Sequence, residues 1–114
     1  MTKAEQIYTA TRCECIKTIE NWGYKTNPNG TAIGCSKLAT DKETSTRTIN
    51  DITKILDRKY KDINIDKDLG ILTEAEAKKE TQILNMIKST VNNRKQRIIE
   101  FNEELKNIVK KGEY

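Results

Sequence analysis

The feature that most constrains this chain is an apolar seam near its C-terminal end. Leu84, Ile87, Val91, Arg94, Ile98, Phe101, Leu105 and Ile108 follow one another at spacings of 3, 4, 3, 4, 3, 4 and 3. That is a heptad rhythm, which only a helix keeps on one face. "TEAE" at 73–76 is a capping box that opens the helix, the Thr73 hydroxyl and the Glu76 carboxylate each meeting the other's amide. The phase survives Asn92 and Asn93, so the spacing predicts one continuous helix from 73 to about 110. Such a helix is about 55 Å long. Its g positions are Ile83, Thr90, Arg97 and Glu104, and its e positions are Lys88, Lys95, Asn102 and Val109. Across a parallel pair these give no clear attraction. Antiparallel packing is therefore expected, against helices of the same chain or against another chain. Ile83, Ile99 and Val109 widen the apolar surface, which favours a bundle.

Two shorter helices precede it. "TKAE" at the N-terminus is another capping box. Ala4, Ile7, Tyr8, Thr11, Cys15, Ile19 and Trp22 then share a face, and Gly23 offers a stop, which predicts a helix over 3–22. Ile49, Ile52, Ile55, Leu56, Tyr60 and Ile63 form the apolar arc of a helix over about 46–61. These helices would be about 30 and 24 Å long. End to end they just cover the long helix; otherwise part of its seam is left for a second chain. Between them, "NPNG" suits a tight turn, so residues 24–34 are expected to form a short β-hairpin, with a short helix over 35–42. "DINIDKDLGIL" reads as a loop. The expected fold is a mainly α single domain, 1–114. It has N-terminal helices and a hairpin over 1–63, an acidic connector at 64–72 and the long amphipathic helix over 73–114.

Composition removes several functions. The chain has no histidine, the commonest general base and the usual partner of a catalytic serine or cysteine. No Walker-type phosphate loop is present, and no carboxylate spacing suggests a site. A non-enzymatic protein without cofactor or metal is expected. No apolar run spans a bilayer, and there is no signal-peptide core. Three cysteines, an odd number, favour a reduced, cytoplasmic protein. Cys13 and Cys15 point about 200° apart on a helix, so one ion cannot take both; Cys15 reads as core and Cys13 as exposed. Net charge is +4, with 10 basic and 7 acidic residues over 1–60, 4 and 6 over 61–80, and 7 and 4 over 81–114. An acidic middle thus separates two basic ends, a balance compatible with nucleic acid but not demanding it.

Three local resemblances follow. "LATDKETSTRTINDITKIL", 38–56, resembles a helix-turn-helix DNA-binding segment. Leu38 and Ala39 match the first helix, Ile49 and Ile52 the recognition helix, and Ser45 its N-cap. Lys42, Glu43 and Thr44 depart from the pattern, at two apolar positions and the turn glycine. "DINIDKDLGILT" resembles an EF-hand loop, with Asp62, Asn64, Asp66 and Asp68 at ligand positions. Lys67 replaces its glycine and Thr73 its bidentate glutamate, so a solvated connector is the simpler reading. "GILTEAEAKKETQIL" resembles the helical hairpin called SHOCT, with Ala77 in place of an aromatic.

The helix-turn-helix resemblance implies that Thr46, Arg47 and Asn50 reach base edges or phosphates, with Lys54 and Arg58 on the same helix. Lys88 and Lys95, on one outer side of the long helix, and Arg97, on another, add basic groups for phosphate. An ordinary solvated helix face is the alternative for both sets. Two functions stay open. One is a nucleic-acid-associated regulator, with the long helix as scaffold or homodimer arm. The other is a phage or mobile-element protein that binds and inhibits a host protein, of which an anti-defence or anti-CRISPR inhibitor would be an example.

Overall fold

Each helix begins at a side-chain cap. The structure, a computed structural model, describes residues 1–21, 38, 44–110 and 112. Helix α1 spans Lys3–Asn21, and the Glu5 amide donates to Thr2 Oγ1 at 3.2 Å. Helix α2 spans Thr46–Asp68, with Ser45 as N-cap accepting from the Thr48 amide at 3.3 Å. Helix α3 spans Glu74–Lys110. Its capping box is complete: the Glu76 amide donates to Thr73 Oγ1 at 3.1 Å, and the Thr73 amide donates to Glu76 Oε1 at 3.2 Å. No strand occurs among the described residues, and the expected hairpin at 24–34 lies outside them. So does the expected helix at 35–42, except for Leu38, which is helical and wholly buried.

The helices pack pairwise, α1 on α2, α1 on α3 and α2 on α3. Their shared core draws on the apolar faces read from the sequence and adds Ala77 and Met86 from α3. Ala4, Ile7, Tyr8 and Cys15 come from α1, and Ile49, Ile52, Leu56 and Ile63 from α2. Ala77, Ile83, Leu84, Met86, Ile87 and Val91 come from α3. Each fully buried aliphatic side chain contributes about 1.5–3 kcal/mol by leaving water.

The connector at 64–72 is corrected by the structure. Residues 64–68 continue α2, because Ile63, two turns beyond Leu56 and about one beyond Tyr60, returns to the inner face and is drawn into the core. The helix then ends in a Schellman arrangement. The Ile71 amide donates to the Asp66 carbonyl at 2.8 Å and the Gly70 amide to the Lys67 carbonyl at 3.1 Å. Gly70 takes φ +75, a left-handed backbone that a side chain would resist. On a helix Asp62 and Asp66 share one face while Asn64 and Asp68 point to the opposite side, so the four are not gathered about one point. No cluster able to hold a metal occurs among the described residues.

Cys15 is wholly buried, as expected for a core residue, and Cys13 is exposed. The expectation of reduced thiols does not hold for Cys15, which is disulfide-bonded, whereas Cys13 is free. No described helix is long and apolar enough to cross a membrane.

The molecule measures 60 × 27 × 22 Å, elongated by α3. The core engages the first half of that helix. Beyond Val91 the seam emerges gradually: Arg94 is half-buried, Ile98 is half-buried and still packs against the core, and Phe101, Leu105 and Ile108 are 59%, 45% and 43% exposed.

Candidate functional site

The outer face of α2 is set by its inner one. Ile49, Ile52 and Leu56 lock one side of the helix into the core, at 0%, 0% and 2% exposure. At about 100° per residue, Arg47, Lys54, Arg58 and Lys61 then fall within a narrow arc on the opposite side. All four are exposed, as are Thr46 and Asn50 beside them. From Arg47 to Lys61 the line runs about 21 Å along the helix. Asp51 and Asp57, also exposed, flank it on either side. The Ser45 cap fixes where the line begins, and its hydroxyl also lies 3.3 Å from Thr48 Oγ1.

Only part of the helix-turn-helix segment is described. Thr44 is buried at 4% exposure, at the position the pattern gives to an apolar residue. Ala39, Lys42 and Glu43 lie outside the described residues, and with them the turn.

The basic residues of α3 lie apart from this line. The Lys88 ammonium sits 5.7 Å from the centre of the Tyr60 ring, a cation–π contact. Tyr60 lies about 130° round α2 from the basic line. Its hydroxyl donates to Asn85 Oδ1 at 2.6 Å, tying α2 to α3. Burial, and then the Asp57 charge, push the Tyr60 hydroxyl pKa up. Lys95 and Arg97 are exposed on the projecting half of α3. The eight basic and polar candidates therefore form two groups, five on α2 and three on α3.

The sequence reading missed a polar cleft where the three helices meet. Tyr8, Arg12, Lys59, Asp62, Asp66 and Glu80 are among its lining residues, around a volume of about 350 Å³. Arg12 and Glu80 meet there through two contacts of 2.9 Å, Nη2 to Oε1 and Nη1 to Oε2. The bond to Glu80 raises the Arg12 pKa, and burial raises that of Tyr8. The available signal was positional. Arg12 stands four residues after Tyr8 and Glu80 four before Leu84, each at the edge of an apolar face.

No family model, curated protein or solved structure matches this chain.

Proposed function

We propose that the chain is a non-enzymatic binding protein that lays the outer face of α2 against nucleic acid as part of a regulator. One observation carries this reading: Arg47, Lys54, Arg58 and Lys61 align on an exposed face directly opposite the buried Ile49, Ile52 and Leu56. Cations in a line about 21 Å long match several successive phosphates of a duplex, and Asn50 beside them has the amide geometry that pairs with adenine. Fluorescence anisotropy with labelled duplex DNA at low salt tests it. The wild type should bind, and Arg47→Ala with Asn50→Ala should weaken binding by about tenfold or more and relax any sequence preference. Absence of binding at low salt, or an unchanged double variant, would remove the reading.

A second reading has its own support. Asp51 and Asp57 flank the basic line and would repel phosphate, whereas a mixed-charge face suits a protein surface. On this reading the chain is an inhibitor encoded by a phage or mobile element that occupies a host protein. Tagged protein would then retain one discrete partner at stoichiometric yield after nuclease treatment. Loss of the partner with nuclease would count for nucleic acid instead.

A further inference from the structure

The cleft where the three helices meet has the build of a ligand site. Its volume of about 350 Å³ lies in the range of small-molecule pockets. Ile63, Leu72 and Leu84 give it apolar walls, and Ile63 and Leu84 belong to the buried core. Two cations, Arg12 and Lys59, stand among them against three carboxylates, Asp62, Asp66 and Glu80, so one negative charge is left over. The pairing sharpens that imbalance. Arg12 commits both Nη groups to Glu80 at 2.9 Å. The carboxylates of Asp62 and Asp66 make no ion pair or hydrogen bond among the described residues. They stand one turn apart on one face of α2, where like charges repel. Lys59, one turn before Asp62, offsets one of them at most.

A buried group in the same cleft is also incompletely satisfied. Tyr8 is only 6% exposed, yet it lines the cleft. Its hydroxyl accepts a hydrogen bond from Arg12, and among the described residues nothing accepts its own proton. A buried donor left unmade is costly, and an acceptor on a ligand would satisfy it. We propose that the cleft binds a small organic monocation, a primary amine on an apolar body that carries a hydrogen-bond acceptor. The ammonium sits against Asp62 and Asp66, the body lies on Ile63, Leu72 and Leu84, and the Tyr8 hydroxyl donates to the acceptor. No group of side chains able to hold a metal ion occurs among the described residues, which favours an organic cation. With Arg12 taken by Glu80 and two carboxylates unpaired, an anion would be repelled. Each helix contributes to the walls, so occupancy ties α1, α2 and α3 together and stabilises the fold. Asp62 and Asp66 lie on the flank of α2 that meets α1, apart from the line through Arg47, Lys54 and Arg58. The site therefore stands whether or not α2 meets nucleic acid.

Calorimetric titration and amide NMR shifts of the full chain test this with probes of one shape. Tyramine has both the ammonium and an acceptor, phenethylamine lacks the acceptor, and tyrosol replaces the amine by a hydroxyl. Tyramine should bind and shift amides around Tyr8, Asp66 and Leu84, and tyrosol should bind about tenfold more weakly. Asp62→Asn with Asp66→Asn should bring tyramine down to the level of tyrosol. Tyr8→Phe should weaken tyramine by about threefold and leave phenethylamine unchanged. Melting of each variant without ligand reports whether it is folded. No binding of tyramine or phenethylamine at millimolar concentration would overturn the inference. So would tyrosol binding as tightly as tyramine, or a folded double variant that binds tyramine unchanged. Equal loss of both amines in Tyr8→Phe would overturn the role of the hydroxyl.

Discussion

Arg12 on α1 grips Glu80 on α3 through two 2.9 Å contacts, across 68 residues of sequence. Paired forks of this kind hold direction as well as distance, so the contact fixes how α1 lies along the long helix. The side chains retain 29% and 32% of their exposure, so solvent screens them and the pair is worth about 1 kcal/mol. Arg12→Ala and Glu80→Ala should each lower stability by about that amount, and the double variant by less than the sum. Urea denaturation in a double-mutant cycle measures the coupling. Full additivity would mean the contact contributes nothing.

Core and surface should respond very differently along α2. Ile52 is 0% exposed and Ile65 is 53% exposed on the same helix. Ile52→Ala should cost about 2–5 kcal/mol by leaving a cavity. Ile65→Ala should stay within about 0.5 kcal/mol. Chemical denaturation of both variants checks the inward face, and comparable losses would contradict it.

The Glu76 carboxylate is held below its usual range, first by the Thr73 amide and then by the Thr73 hydroxyl. A carboxylate depressed in the folded state stabilises above its unfolded pKa, and that gain is lost as pH falls through the folded value. The melting-temperature gap between wild type and Glu76→Ala should be constant near neutrality and shrink on acidification. Thermal melts across the acid range measure it. A gap that widens in acid would contradict the capping box.

The two cysteines of "CEC" should react differently. Cys13 is free and exposed, whereas Cys15 is buried and disulfide-bonded. Alkylation of native protein without reductant should label Cys13 and leave Cys15 unlabelled, and denaturation with reductant should add Cys15. Peptide mass mapping reads both. Labelling of Cys15 in the denatured but unreduced protein would show that its thiol is free.

What the sequence disclosed and what it hid have physical causes. Thr2, Ser45 and Thr73 are hydroxyls three residues ahead of the amides they cap, so the helix starts were local and legible. The α1 and α3 limits followed. The end of α2 was missed because the run of Asp62, Asp66 and Asp68 has the composition of a loop. The burial of Ile63, a tertiary effect, carries the helix past it to the Gly70 stop. The Arg12–Glu80 pair joins residues that no local pattern links, and the Cys15 disulfide is likewise beyond spacing arguments on one helix. The α2 face was legible because Ile49, Ile52 and Leu56 fix what points away from them.

If the α2 line touches phosphate, duplex binding must weaken steeply with salt, and Lys54 and Arg58 must contribute to that dependence. Affinity of the wild type and of Lys54→Ala with Arg58→Ala should be measured from low to physiological salt. The log–log slope should be steep for the wild type and shallower by about 2 in the double variant, one for each lost phosphate contact. No duplex binding at low salt, or a slope unchanged by removing both cations, would contradict it.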